Sequence, residues 1–101
     1  MSSTVSVGDP ADTGPTYTIT ITRDPNDAVT DWTTATGVVL VLPDATTKTV
    51  AKTSATTSQW VGSVAYDAWW TVPGAYPTKA RATFSDGTVI TIPERLIFSV
   101  G

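Results

Sequence analysis

The chain contains neither histidine nor cysteine, so any chemistry it performs must come from carboxylates, hydroxyls or aromatic rings. Nucleophilic catalysis depends on a base poised near neutral pH, most often histidine, and its absence removes most hydrolase designs. Paired carboxylates can act as acid and base, but Asp9, Asp12, Asp24, Asp44 and Asp86 stand among turn-forming residues. There a carboxylate bonds the backbone of its own turn. Asp24, Asn26, Asp27 and Asp31 offer oxygen donors of the kind calcium accepts. Their order is equally that of a turn followed by a cap, and the glycine and closing glutamate of an EF-hand loop are missing, so no metal site is expected. The glycines are isolated, which leaves no phosphate-binding loop. These residues point to a protein that is not an enzyme and carries no cofactor.

Aromatic residues are the remaining signal. Trp32, Trp60, Trp69 and Trp70 are more tryptophan than a small core usually holds. Neighbouring residues in a strand point to opposite faces, so one of Trp69 and Trp70 is expected in solvent beside Pro73 and Tyr76. Such a residue suits a protein–protein hot spot or a platform for stacking on sugars. Trp60 and the other member of the pair are expected as core anchors. Trp32, inside a long connection, is the best candidate for a partner contact, and Val5 and Val7 of an N-terminal arm complete the expected contact set.

The elements that must position these residues follow from periodicity. Residues 1–15 mix small polar residues with Gly8, Pro10, Gly14 and Pro15, which predicts an extended arm with one short edge strand at Thr4 to Val7, ordered by a neighbour. From Thr16 to Thr22, "TYTITIT" sets Tyr17, Ile19 and Ile21 on one face and threonines on the other, the period of a half-buried strand. "RDPNDAVTDWTTATG", Arg23 to Gly37, reads as a long connection with one helical turn after Asp27. "VVLVLP" from Val38 to Pro43 is a continuously apolar strand, "PDATTK" a turn, and "TKTVAKT" its hairpin partner. "SQWVGSVAYD" places Trp60, Gly62, Val64 and Tyr66 on one face. "GAYPTKARATF" alternates Tyr76, Ala80, Ala82 and Phe84 with Lys79, Arg81 and Thr83. "SDG" at Ser85 to Gly87 predicts a hairpin with a primed turn, "TVITIP" the returning strand, and "RLIFSV" from Arg95 to Val100 a last strand.

About seven short strands with no helical period predict an all-β antiparallel sandwich, residues 16–101, in preference to a barrel. About a fifth of the residues are threonine and only 15% are charged, so hydroxyls coat much of the outside. At 101 residues the chain makes one domain with a core that needs no staples. Its net charge is −3 and its six basic residues are scattered, whereas a phosphate backbone requires a contiguous positive strip, so nucleic acid is not expected as a partner. No apolar run approaches the roughly 18 residues of a membrane span, and the N-terminus lacks the pattern of a secretory signal. A soluble protein made in the cytoplasm is expected.

Taken together, "GDPADTGPTYTITIT", "ATGVVLVLPDATTKTV", "WVGSVAYD" and "VPGAYPTKARATFSDGTVITIP" resemble the immunoglobulin-like domain of tailed-phage virion proteins, notably the N-terminal domain of the siphophage upper baseplate protein. The resemblance spans nearly the whole chain. It implies an immunoglobulin-like sandwich and a structural, non-enzymatic part of a phage particle. Partners would be other phage structural proteins in a symmetric, multi-copy assembly at the tail, baseplate or head–tail region. It brings no active-site residue. The inter-sheet cysteines of antibody domains are missing, and Val38 to Leu42 lacks their core tryptophan. Tyr76 stands where a tyrosine-corner residue would, its hydroxyl expected to bond backbone near Asp67. With no receptor-binding extension in these 101 residues, an accessory, connector or decoration role is expected over an adhesin. The alternatives are a capsid decoration protein on the phage head and a carbohydrate-binding module whose partner is a host-surface glycan.

Overall fold

Strands dominate because threonine, valine and isoleucine alternate with period two through most of the chain. The computed structural model describes residues 2–24, 26–27 and 29–101, with the side chains of residues 2, 3 and 93–95 not included. Among the described residues seven strands form: β1 Ser2–Val7, β2 Thr13–Thr22, β3 Ala35–Val41, β4 Thr47–Ala55, β5 Gln59–Asp67, β6 Gly74–Phe84 and β7 Val89–Val100. They hydrogen-bond in the single order β1-β7-β6-β3-β4-β5-β2. All pairings are antiparallel except β1 with β7, which is parallel.

The layers are joined by β4. Its first half, Thr47 to Val50, pairs with β3, and after Val50 it pairs with β5, with a register shift between Lys52 and Ser54. A bulge of this kind bends a strand, and here it lets one strand serve both layers. The expected pair of separate sheets is therefore replaced by one continuous sheet, curled nearly into a barrel. The terminal strands β1 and β2 are linked by the Tyr17 hydroxyl, which donates to the Ser6 carbonyl at 3.1 Å.

Inside lie the rows that alternation predicted. Ile19 and Ile21 of β2 and Ala80, Ala82 and Phe84 of β6 are buried, with Tyr17 and Tyr76 half-buried at the margin. Val38, Leu40, Tyr66, Phe98 and Trp60 are completely or almost completely enclosed. Each such side chain is worth about 1.5–3 kcal/mol against exposure. Trp60 lies over Gly62: a Cβ there would stand 2.5 Å from the indole ring and 2.7 Å from the Ala51 carbonyl oxygen, so only glycine fits. Thr78, the one polar side chain buried among the described residues, satisfies its hydroxyl by donating to the Leu96 carbonyl at 2.9 Å.

Several expectations change. The residues of the N-terminal arm are tied to the chain itself, since Ser2–Val7 pairs with β7 and Thr13 with Asp67. "TVITIP" and "RLIFSV" are one strand, β7, whose register with β6 shifts between Lys79 and Arg81. The helical turn placed after Asp27 falls on residue 28, outside the described residues. A 3-10 turn is found at Trp32–Thr34, capped by the Asp31 carboxylate, which accepts from the Thr33 amide. Ser85–Gly87 does close a hairpin, but only Gly87 has positive φ, +88°. The Gly87 amide donates to the Phe84 carbonyl and the Phe84 amide to Thr88, which is the three-residue loop with a left-handed last residue and not a primed turn. The β3–β4 turn repeats this bonding from Leu42 to Thr46, with Ala45 at φ 71° in the glycine position.

Candidate interaction surface

β5 leaves its layer at Asp67, and Ala68 turns the chain by adopting φ 49° while its amide donates to the Asp12 carbonyl at 3.0 Å. Residues 68–73 therefore run as a connection, not as a strand, and the alternation rule does not apply to Trp69 and Trp70. Both are half-buried and fold back onto the same aromatic cluster. Trp70 stacks on Tyr76 with ring centres 4.2 Å apart and planes 8° from parallel. Trp69 meets Trp70 edge-on at 5.7 Å. Both lean on Phe98, at 5.4 and 5.6 Å, and on Tyr66, at 5.3 and 6.0 Å. Offset and edge-on pairs of this kind add about 0.5–1.5 kcal/mol each beyond their burial.

Polar groups fix the cluster in place. The Tyr66 hydroxyl donates to the Pro10 carbonyl at 2.7 Å, tying the β1–β2 loop to β5. The Tyr76 hydroxyl donates to the Val72 carbonyl, so its partner is Val72 and not backbone near Asp67. Lys48 sets its ammonium 5.8 Å from the Trp69 ring centre, within reach of a cation–π attraction. Around the half-covered rings Val72 is 62% exposed, and Pro73 and Ala75 are also in solvent. A separate open groove of about 360 Å³ lies between the β3–β4 turn and the first half of β6, lined by Val41, Pro43, Ala45, Pro77 and Lys79 among others.

Two expected contact residues, Trp32 and Val7, are placed in the core. Trp32 is only 3% exposed and packs against Phe84 at 5.1 Å, because the 23–34 connection folds back under the strands. It is a core residue. Val7 is buried, and Val5 is partly buried against the same core, since parallel pairing with β7 points both inward. Of the expected set, Trp69, Trp70 and Val5 are partly buried, and Trp69 and Trp70 stand together in one cluster. Lys48 and Val72 join them and were not anticipated. The breaker run Thr71-Val72-Pro73-Gly74 was the available sign that the tryptophans sit in a connection.

The carboxylates considered as calcium ligands are engaged by their own turns. Asp24 accepts from the Asn26 amide at 2.8 Å. Asp27 accepts from the Val29 and Thr30 amides at 2.9 and 3.0 Å, and Asp31 from the Thr33 amide and hydroxyl at 3.0 and 2.6 Å. Hydrogen bonds from Thr30, then from Val29, lower the Asp27 carboxyl to about 2. Bonds from Thr33, Thr46 and Thr88 likewise hold Asp31, Asp44 and Asp86 below the usual carboxylate value. Held low in this way, Asp27, Asp31, Asp44 and Asp86 stay ionised as turn braces, which makes them poor proton donors near neutral pH.

Comparisons with family models, with curated proteins and with solved structures give no match to this chain.

Proposed function

We propose that this protein is a non-enzymatic structural module of a tailed-bacteriophage virion. In this reading it is an immunoglobulin-like domain, present in several copies and attached at the tail, baseplate or head–tail region. The observation that carries the reading is the aromatic end: Trp69, Trp70 and Tyr76, half-exposed and packed on one another, with exposed Val72 and Pro73 in the connection between them. Rigid aromatics partly open to solvent lose little entropy on binding and are typical anchors of protein interfaces.

The immunoglobulin-like assignment is supported by strand order. β2 beside β5, and β3 beside β6 beside β7, repeat the neighbours of a seven-stranded immunoglobulin sandwich, with β4 in the place of its fourth strand. The bond from the Tyr76 hydroxyl back to Val72, at the start of the sixth strand, has the form of a tyrosine corner. A sugar platform is less well supported, because Tyr76 already covers a face of Trp70 that a sugar would need. The proposal is tested on purified particles: the chain is expected in their protein inventory, and Trp70→Ala is expected to reduce its incorporation while the isolated domain still folds. An inventory without the chain rejects the reading. Location on the head shell would make it a decoration protein instead.

A further inference from the structure

β2 ends the strand order: among the described residues its backbone pairs with β5 on one side and with no strand on the other, and its link to β1 is a side-chain bond from the Tyr17 hydroxyl to the Ser6 carbonyl. Its ten residues, Thr13–Thr22, include no charge, its only proline stands at Pro15, and its register with β5 is unbroken from Thr16 to Thr22. Native edges are ordinarily guarded by a lysine, a bulge, brevity or a covering loop. The other terminal strand, β1, has six residues; β2 has the longer, regular, uncharged edge.

The direction of its backbone groups can be read. The Arg23 amide donates to the Ser58 carbonyl, the pair that continues the register Thr22 to Gln59. Hydrogen-bonded and non-hydrogen-bonded pairs alternate along an antiparallel ladder. Tyr17, Ile19 and Ile21 therefore turn their backbone groups toward β5, and Thr16, Thr18, Thr20 and Thr22 turn theirs outward. By residue class, the stretch also reads the same in both directions about Ile19: threonine faces threonine and apolar faces apolar.

We infer that this edge is a homodimer interface, independent of the virion reading. A second copy adds its own β2 antiparallel across a two-fold axis at Ile19, so that one sheet runs through both molecules. Thr18 then pairs with Thr20 of the other copy and Thr16 with Thr22, each pair exchanging two hydrogen bonds, while Ile19 meets Ile19 on the inner face. The second copy is the occupant because it brings the matching class-symmetric strand with no like charge, and cross-strand threonine pairs are favourable.

The test uses the full chain in sedimentation equilibrium up to about 1 mM, where even a millimolar association registers. The wild type is expected to dimerise. Thr18→Lys/Thr20→Lys sets like charges opposite each other and is expected to be monomeric, as is Thr18→Glu/Thr20→Glu, and an equimolar mixture of the two is expected to regain the dimer. A wild type that stays monomeric overturns the proposal, as does a dimer unchanged in the lysine variant. Hydrogen exchange on the wild type gives a second check that needs no variant. The Thr18 and Thr20 amides should gain protection as concentration rises while that of Ile19 stays constant, and concentration-independent exchange at all three positions rejects the interface.

Discussion

Tryptophan is placed at both ends of the molecule, under different constraints. At one end the 23–34 connection, the β4–β5 turn and the β6–β7 turn are laced by backbone bonds. The Trp32 amide donates to Thr57, the Arg23 amide to Ser58 and the Ser85 amide to Thr34, at 2.7–3.1 Å. Trp32 is sealed beneath them against Phe84, with its indole N–H buried. At the other end the β1–β2 loop and residues 68–73 are joined by one backbone bond, from the Ala68 amide to Asp12, the Gly101 amide bonds the end of β1 at Val7, and the rings of Trp69 and Trp70 remain half-open. The sealed end supplies stability. The open end keeps the same aromatic material half in solvent, available for the contact proposed above.

The sharpest way to break this contrast is Trp32→Ala, which empties a closed site and is expected to cost about 3–5 kcal/mol. Urea unfolding measures it, and a loss below about 1 kcal/mol would mean the site is not closed. Trp70→Ala removes a ring already half in water and is expected to cost less, about 1–2 kcal/mol, while reducing incorporation into particles. Equal losses in the two variants would erase the distinction between the ends.

A finer comparison uses the two equivalent hairpin turns at opposite ends of β3. Gly87 holds the left-handed position in one and Ala45 in the other. Ala45→Gly is expected to stabilise the protein by up to about 1 kcal/mol, less the entropy glycine adds to the unfolded chain. Gly87→Ala is expected to destabilise by about 1 kcal/mol, and thermal melts decide both. A lower melting temperature for Ala45→Gly would contradict the assigned turn geometry.

The smallest expected effect is in pH. The folded Asp27 carboxyl is lowered to about 2, below its value near 3.8 in the unfolded chain, so its contribution is fully present above about pH 4 and is lost as pH falls through about 2. Asp31, at the same end, is lowered in the same direction. Urea midpoints measured from pH 6 down to 2 should fall, and Asp27→Asn should flatten the fall. A midpoint rising toward pH 2 would reverse the sign.

Local chemistry was legible in the sequence and distant packing was not. Tyr17, Ile19 and Ile21 and the β6 row Ala80, Ala82 and Phe84 announce their inner face, because alternation is a property of neighbours in sequence. The turns at Asp44 and Asp86 are equally local. Trp32 was misplaced because its burial depends on a long connection folding back beneath Phe84, far along the chain. The N-terminal strand finds its partner in β7, at the other end of the sequence, which no local pattern records. Trp69 and Trp70 were assigned to opposite faces because a strand was assumed where the left-handed Ala68 ends one.

The central claim is that the end formed by Trp69, Trp70 and Tyr76 is where this protein meets its neighbours. A cryo-EM map of the particle, resolved well enough to place this domain, measures that directly. The account predicts that a neighbouring subunit covers those three rings and Val72. Particles in which the chain is present but that end faces solvent, with Trp70 uncovered, would contradict it.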